Sequence, residues 1–205
     1  MDDLPNETRA LNAKVWKRDE LDWYVEPPRA TKALLSVETF LGPVRDPCCG
    51  QGNIVSELLA SGYAATGSDV VDRTGRASWF AGEIDFLTCG GRLENICMNP
   101  PFFRAKGAEA FIRKALCIAK GKVAAFVDIR FLAGSDRAQG LFSEHPPHRI
   151  WVVTPRVSCP PGTYLAAGNK AGNGSSDWCW LVWDRTAPRP YASAFHWLTS
   201  RSYVP

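Results

Sequence analysis

The segment ICMNPPFF, from Ile96 to Phe103, carries the most information about this chain. Its apolar start predicts a short buried strand, which runs into the turn Asn-Pro-Pro-Phe and then into a helix. Pro100 and Pro101 have no N–H groups, so the turn offers a ligand only carbonyl oxygens. Asn99 precedes a proline and is therefore pushed toward an extended conformation, which fixes where its carbonyl and amide groups point. Such acceptors beside the Phe102 ring suit a planar group that carries an –NH2, hydrogen-bonded at the amine and stacked on the ring.

The strand and glycine turn that begin at Val44 predict the fold class. VRDPCCGQGN leads into the helical run IVSELLA, and this order of strand, turn and helix opens a doubly wound α/β nucleotide-binding fold. Gly50 and Gly52 leave room for a ligand to approach the backbone closely. The chain has no G-x-x-x-x-G-K-S/T motif, which argues against a nucleoside triphosphate. Asp46 at the strand end also disfavours a phosphate, whereas its carboxylate suits an ammonium group.

Two further predicted strands end in acidic residues. Asp69 closes the second strand and lies close to the ~20-residue interval after the glycine turn at which an acid meets a ribose hydroxyl. Asp72, slightly further along, is an alternative for the same contact. A third strand is predicted to end within Ala81–Leu87, where Asp85 is followed by Phe86.

The rest of the chain continues the alternation of strands and helices. One helix is predicted from the prolines at 27 and 28 to Gly42, and another from Ala105 to about Lys120. Further predicted elements are a buried strand, a short helix and two more strands, at Lys122–Asp128, Ser135–Glu144, Arg149–Thr154 and Trp178–Trp183. The aromatic-rich tail after the last strand is expected to pack against the domain.

The segment at residues 155–176 is the least regular part of the sequence. It begins PRVSCPPG and continues as a run rich in glycine, asparagine and serine. A loop of this length is uncommon in a compact domain and is commonly functional or mobile. It carries Arg156, Tyr164, Asn169 and Lys170, so we interpret it either as part of a substrate site or as a disordered surface loop.

Length and composition predict an ordinary globular protein. The 205 residues are 45% hydrophobic and 22% charged, which favours one domain at residues 23–205 after a flexible arm at residues 1–22. The formal net charge of +3 permits a polyanionic partner without requiring one.

The seven cysteines contain no C-x-x-C pair and no Cys/His grouping with zinc-site spacing, so no metal is predicted. Their odd count and the lack of a signal peptide favour a reducing cytoplasm. No apolar run approaches the ~20 residues of a membrane span, so we expect a soluble, cytoplasmic protein.

Taken together, these motifs resemble those of the S-adenosylmethionine-dependent N6-adenine DNA methyltransferases, above all small phage-type members without a recognition domain. The resemblance rests on Asn-Pro-Pro-Phe at 99–102, Asp-Pro-x-x-Gly-x-Gly at 46–52, and a Tyr-x-x-Pro-like segment at Tyr24 and Pro27. It covers roughly residues 23–184. It implies a Rossmann-like, doubly wound, mostly parallel sheet of seven strands.

The resemblance also implies a place for S-adenosylmethionine. In such enzymes the Tyr-x-x-Pro segment and the glycine loop wall the pocket, with an acid at the methionine amino group, a second at the ribose, and an Asp-Phe pair at the adenine ring. The cofactor-binding residues expected on this basis are Tyr24, Pro27, Asp46, Cys48, Gly50, Gly52, Asn53, Asp69, Asp85 and Phe86.

The implied reaction is methyl transfer to the N6 amine of adenine in duplex or single-stranded DNA. Asn99 and the Pro100 carbonyl would each accept one N–H of that amine, with Pro101 completing the turn and Phe102 stacking on the base. The residues expected to bind the nucleotide substrate are Phe103, Arg156, Tyr164 and Lys170. The sequence has no room for a recognition domain, so short or no sequence preference is expected, or else a second copy or a partner protein.

Several alternatives share the Asn-Pro-Pro-aromatic turn. RNA adenine and the glutamine amide of release factors present the same planar –NH2, and cytosine N4 is a further possible target, although its enzymes more often have Ser-Pro-Pro. A nucleic-acid-binding protein that has lost cofactor affinity is the non-enzymatic alternative. The oligomeric state is not predicted.

Overall fold

Alternating strands and helices make up most of the computed structural model, which describes residues 19–103, 106–172, 176–188 and 192–200. The strands are β1 Val44–Asp46, β2 Ala65–Asp69, β3 Phe80–Glu83, β4 Asn95–Met98, β5 Lys122–Asp128, β6 Arg149–Thr154, β7 Trp178–Asp184 and β8 Ala194–Thr199. The helices are α1 Pro28–Leu35, α2 Asn53–Ala60, α3 Lys106–Ile118, α4 Ser135–Gln139, α5 Leu141–Glu144 and α6 Gly162–Ala166, with a 3-10 helix at Ile129–Ala133. Most of the predicted arm at residues 1–22, and the predicted helix start at Ala105, lie outside the described residues.

The strands form one sheet in the order β3-β2-β1-β4-β5-β7-β6-β8. β7 is antiparallel to both of its neighbours, β5 and β6, and the other strand pairs are parallel. The chain moves outward from β1 to β3 on one side and from β4 to β5 on the other, so the strand order reverses between β1 and β4. The predicted Rossmann-like, doubly wound and mostly parallel α/β sheet is confirmed.

Side-chain alternation along the central strands builds a core on each face of the sheet. In β5, Ala124 and Phe126 pack with α1 and α2, whereas Val123, Ala125 and Val127 pack with α3 on the opposite face. The tryptophans and aliphatic residues of β7 divide between the two cores in the same way. Because both faces are covered, these strands are apolar throughout instead of alternating with polar residues.

The first helix is shorter than its apolar pattern indicated. α1 ends at Leu35 and not near Gly42. Beyond it Glu38 is buried, with a side chain that pairs with Lys122 and Arg149 at the starts of β5 and β6. The chain leaves the helix because this acid must turn inward to reach the two basic residues.

The C-terminal half is more regular than the sequence indicated. The tail after β7 supplies an eighth strand, β8, which pairs with β6 and raises the strand count from the expected seven. The irregular segment 155–176 contains α6, although residues 173–175 are outside the described part. The helix predicted over Ser135–Glu144 is two short helices, which Gly140 separates.

Candidate active site

A cavity of about 270 Å³ opens where the strand order reverses, at the carboxyl ends of β1, β2 and β4. Ligands of open α/β sheets bind at such a switch point. Most of the residues that the motifs marked as catalytic or cofactor-binding line this cavity: Tyr24, Asp46, Cys48, Gly50, Asn53, Asp69, Asp85, Phe86, Asn99, Pro101 and Phe103. The fold thus brings together motifs that are far apart in the chain.

Asn99 is held at the edge of this cavity in one orientation. Its Nδ2 donates hydrogen bonds to the Tyr24 backbone oxygen at 2.9 Å and to Glu26 Oε2 at 2.7 Å. Both N–H bonds of the amide are therefore used, and the partner atoms identify which end of the side chain is nitrogen, since a backbone carbonyl only accepts. Asn99 Oδ1 remains as the acceptor that a ligand can use.

Two buried carboxylates lie beside Asn99. Glu26 is 6% exposed and Asp46 is 1% exposed, and no Lys, Arg or His among the described residues lies within ion-pair distance of either. Burial raises the pKa of Glu26 to about 7, although its hydrogen bond with Asn99 lowers it. Burial, with the nearby Glu26 and Asp69 charges, raises the pKa of Asp46 well above its usual range. A cationic ligand group would favour the ionised form of both.

Asp69 contacts both the glycine turn and Arg73. Its Oδ2 accepts a hydrogen bond from the Gly50 N–H at 2.8 Å, and its Oδ1 pairs with Arg73 at 3.2 Å. A carboxylate has about four acceptor positions, so Asp69 can still accept a ribose hydroxyl. Asp72 does not line the cavity and instead caps its own turn, where it accepts bonds from the Thr74 N–H and hydroxyl. The geometry favours Asp69 over Asp72 for this contact.

Three other predicted cofactor-binding residues on the cavity wall are Asp85, Phe86 and Cys48. Asp85 Oδ1 accepts the Leu87 N–H at 2.9 Å, and the neighbouring Phe86 is 2% exposed, its ring 5.4 Å from that of Phe111. Burial and the Asp46 charge raise the pKa of the Cys48 thiol well above its usual range. A thiol held in its neutral form is part of the wall and not a nucleophile.

Four of the predicted catalytic and cofactor-binding residues do not line the cavity. Pro27 is the residue before α1, Gly52 is the residue before α2, and Pro100 is buried in the turn. The Phe102 ring packs edge-to-face on Trp178 with centroids 5.9 Å apart, in contact with both cores.

The three predicted substrate contacts in the 155–176 segment also lie off the cavity lining. Arg156 pairs with Asp177 at 2.8 Å, with both side chains about half exposed. The Tyr164 backbone oxygen, in α6, accepts a hydrogen bond from Asn169. Lys170 is exposed. These residues stand on the surface, and their contact with a substrate stays a prediction.

The two loop glycines have a role that the sequence did not indicate. A Cβ on Gly50 would lie 2.6 Å from Trp23 Nε1, and one on Gly52 would lie 2.2 Å from the Trp79 ring. Gly52 also has a φ of +94°, which glycine adopts without strain. The room they leave is therefore occupied by tryptophans of the chain itself, and not only reserved for a ligand.

Several lining residues were not marked by the sequence motifs, among them Asp22, Trp23, Glu26 and Arg73. The Asp22 carboxylate accepts the Phe103 N–H, and the Arg73 guanidinium lies 4.7 Å from the centre of the Trp23 ring while it pairs with Asp69. An acid between Val25 and two prolines is a signal that could have identified Glu26. The other contacts depend on how the N-terminal segment folds back, which no local pattern encodes.

The donor set of the cavity suits an organic cation and not a metal. Within the described ranges no group of three or more His, Cys, Asp and Glu side chains could hold a metal ion. The seven cysteines are free.

No helix among the described residues is long and apolar enough to cross a membrane.

Comparison with known proteins identifies the fold. No family model and no curated protein matches the chain. Among solved structures, the fold is that of methyltransferases. The putative RNA methyltransferase PH1948 from Pyrococcus horikoshii is 19% identical with a TM-score of 0.57, over 82% of this chain and 88% of that one. A modification subunit of a putative type I restriction enzyme from Vibrio vulnificus YJ016 is 14% identical with a TM-score of 0.57, over 90% of this chain and 48% of its own.

Proposed function

We propose that this protein transfers a methyl group from S-adenosylmethionine to the exocyclic N6 amine of adenine in DNA, with little or short sequence preference. The observation that carries the proposal is the fixed amide of Asn99. Its nitrogen is bound by Tyr24 and Glu26, so a single oxygen acceptor remains at the edge of an acid-walled cavity. The two prolines of the Asn-Pro-Pro-Phe turn add no competing N–H donor.

Two acceptors are what this chemistry requires of the protein. The lone pair of an aromatic amine is delocalised into the ring, which makes the amine a poor nucleophile. Asn99 Oδ1 would accept one N–H and so push electron density toward the nitrogen. The motif resemblance assigns the second N–H to the Pro100 carbonyl, although Pro100 does not line the cavity. The nitrogen loses its proton after it has gained the methyl group, so no dedicated base is needed. Positioning of this kind can supply ~7–11 kcal/mol in favourable cases.

The cavity wall fits S-adenosylmethionine by its charge. Bound there, the cofactor would supply a methyl group activated by a sulfonium. Asp46 is a buried carboxylate without a cationic partner among the described residues, which suits the amino group of the methionine moiety. Asp69 has acceptor capacity for the ribose. Asp85 and Phe86 line the same cavity, which supports a contact of this pair with the adenine ring.

Phe103 is better placed than Phe102 to stack on the target base. Phe103 is 44% exposed and lines the cavity, whereas Phe102 packs on Trp178. Phe103 has a φ of +36°, and its N–H is bound by Asp22. An adenine must leave the duplex to reach Asn99, at a cost of a few kcal/mol that stacking partly offsets.

The DNA substrate follows from the motif resemblance, and the Vibrio vulnificus modification subunit agrees with it. The chain spans about half of that subunit's length. RNA adenine is the second candidate. It is favoured by PH1948, which matches at the same TM-score over 88% of its own length.

The test is methyl transfer from labelled S-adenosylmethionine to unmethylated duplex DNA, single-stranded DNA and RNA, followed by digestion and mass spectrometry of the nucleosides. We expect N6-methyladenine from DNA. N6-methyladenine from RNA alone would replace the first candidate by the second. Label in cytosine, or in no nucleoside at all, would refute both.

Asn99→Ala is the matching variant. Removal of the acceptor should lower kcat by about 100-fold or more, with the cofactor dissociation constant nearly unchanged in a calorimetric titration. Gln139→Ala is the control, because Gln139 is an exposed amide residue at the end of α4, away from the cavity lining. Equal turnover of the two variants would remove Asn99 from the mechanism.

A further inference from the structure

Glu26 stands between the cofactor pocket and the proposed acceptor of the substrate amine. We infer that Glu26 is a positioning residue, whose carboxylate fixes the Asn99 amide so that Oδ1 is presented to the amine. This rests on the proposed function, since Asn99 acts on a substrate only there. The motif analysis assigned Glu26 no role.

The hydrogen bonds define a single orientation of Asn99. Glu26 Oε2 is 2.7 Å from Asn99 Nδ2, and the Tyr24 backbone oxygen is 2.9 Å from the same atom. A half-turn of the amide would place Oδ1 against both acceptors, which is repulsive. The bond to a carboxylate is charge-assisted and is strengthened by burial, because Glu26 is only 6% exposed. Without it, one backbone oxygen would restrain the amide through a single N–H.

Glu26 is itself fixed by its backbone. Its carbonyl oxygen accepts a hydrogen bond from Asn53 Nδ2 at 2.7 Å, at the start of α2. The preceding Val25 N–H donates to the Pro160 oxygen at 2.9 Å. The backbone at Val25 and Glu26 is therefore anchored to both α2 and the 155–176 segment, which fixes the point from which the carboxylate reaches Asn99.

Acids and thiols surround Glu26. The titratable groups that interact with its charge, from β1, the glycine loop, β4 and the 155–176 segment, are Asp46, Cys48, Cys97 and Cys159. Burial raises the pKa of Glu26 to about 7. Above that pH the ionised carboxylate is the stronger acceptor for Asn99, and below it protonation weakens the bond.

The direct test is nuclear magnetic resonance of the Asn99 side-chain amide, identified by its absence in Asn99→Ala. In the wild-type protein its signals should move with a midpoint near pH 7. In Glu26→Gln this movement should vanish. If the Asn99 amide signals still move with pH in Glu26→Gln, the titrating group is Asp46 and the inference is overturned. This readout needs no substrate, so it stands even if no methyl transfer is found.

The kinetic test distinguishes a role of Glu26 in positioning Asn99 from a role in packing. Glu26→Ala should lower kcat by about 10- to 100-fold with the cofactor dissociation constant changed less than about threefold, because a misplaced acceptor costs rate. Glu26→Gln keeps an oxygen acceptor and should recover most of kcat, also if Glu26→Ala does not fold. Glu94→Ala, at an exposed acid, is the control.

Two outcomes contradict the inference: an unchanged kcat in Glu26→Ala, or a Glu26→Gln protein that is as inactive as Asn99→Ala. A wild-type protein inactive on every nucleic acid refutes the proposed function instead.

Discussion

At the scale of single residues, Asp69 and Asp72 show how contacts distinguish two acids of the same loop. Asp69 lines the cavity and binds Gly50 and Arg73, whereas Asp72 closes a turn at the surface. Asp69→Ala should therefore weaken S-adenosylmethionine binding at least about tenfold, the effect of losing a charged hydrogen-bond partner. Isothermal titration calorimetry measures it, with Asp72→Ala as the matched control. Equal losses in both variants would contradict the assignment of the ribose contact to Asp69.

Local sequence was sufficient to predict those cavity-lining residues that lie at a strand end or in a tight turn. Asp46, Asp69, Asp85 and Asn99 were predicted because each follows a strand, and parallel strands align their carboxyl ends. Glu26 precedes a helix instead. It reaches the site only because the segment before α1 crosses the glycine loop, a long-range placement without a periodic signal.

At the scale of elements, the 155–176 segment departs most from expectation. Its start is buried, with Val157 at 0% and Cys159 at 2% exposure, and Tyr24 pairs with Pro161 in an isolated β-bridge. Gly162 then begins α6. Its turn-forming residues predict an irregular loop, whereas the structure adds α6 and this bridge. The sequence could not show that the segment closes over the N-terminal part of the cavity wall.

Gly162 tests this packing. A Cβ there would lie 2.1 Å from the Trp23 ring, which lines the cavity. Gly162→Ala should therefore destabilise the protein by about 1–3 kcal/mol, as overpacking does, and weaken cofactor binding when Trp23 is displaced. Urea unfolding and calorimetry measure the two effects. Gly90→Ala is the control, because nothing lies within 4 Å of a Cβ at that position. If Gly162→Ala is as stable as Gly90→Ala, the Trp23 ring can move aside without a loss of stability.

At the scale of the whole molecule, the cavity and the Glu38 ion pairs lie at opposite ends of the strands. The cavity lies at the carboxyl ends of the strands, whereas Glu38 joins the amino-terminal residues of β5 and β6. Glu38 is 2% exposed and accepts hydrogen bonds from Lys122 Nζ at 2.8 Å, Trp151 Nε1 at 3.0 Å and the Arg149 guanidinium. One acid thus ties the segment after α1 to two strands that are not neighbours in the sheet.

The stability of the fold should depend on this acid in a pH-dependent way. Burial raises the pKa of Glu38, but hydrogen bonds from Arg149, Lys122 and Trp151 outweigh it and hold the pKa below its usual range. A lowered pKa means that the stabilisation is complete above the unfolded-state value of about 4.3 and is lost as the pH falls through the folded-state value.

Glu38→Gln should accordingly lower the free energy of unfolding by at least about 2 kcal/mol at pH 7, because it leaves two half-buried cations without their acid. The difference from wild type should shrink in urea unfolding between pH 5 and pH 3, as the wild-type carboxylate is protonated. Glu94→Gln is the control, since its 3.6 Å pair with Lys120 is solvent-exposed and worth less than about 1 kcal/mol. Because the network is at the opposite strand ends from Asn99, kcat per folded molecule should stay unchanged in Glu38→Gln. A loss of kcat without a loss of stability would mean that the two ends of the sheet are coupled.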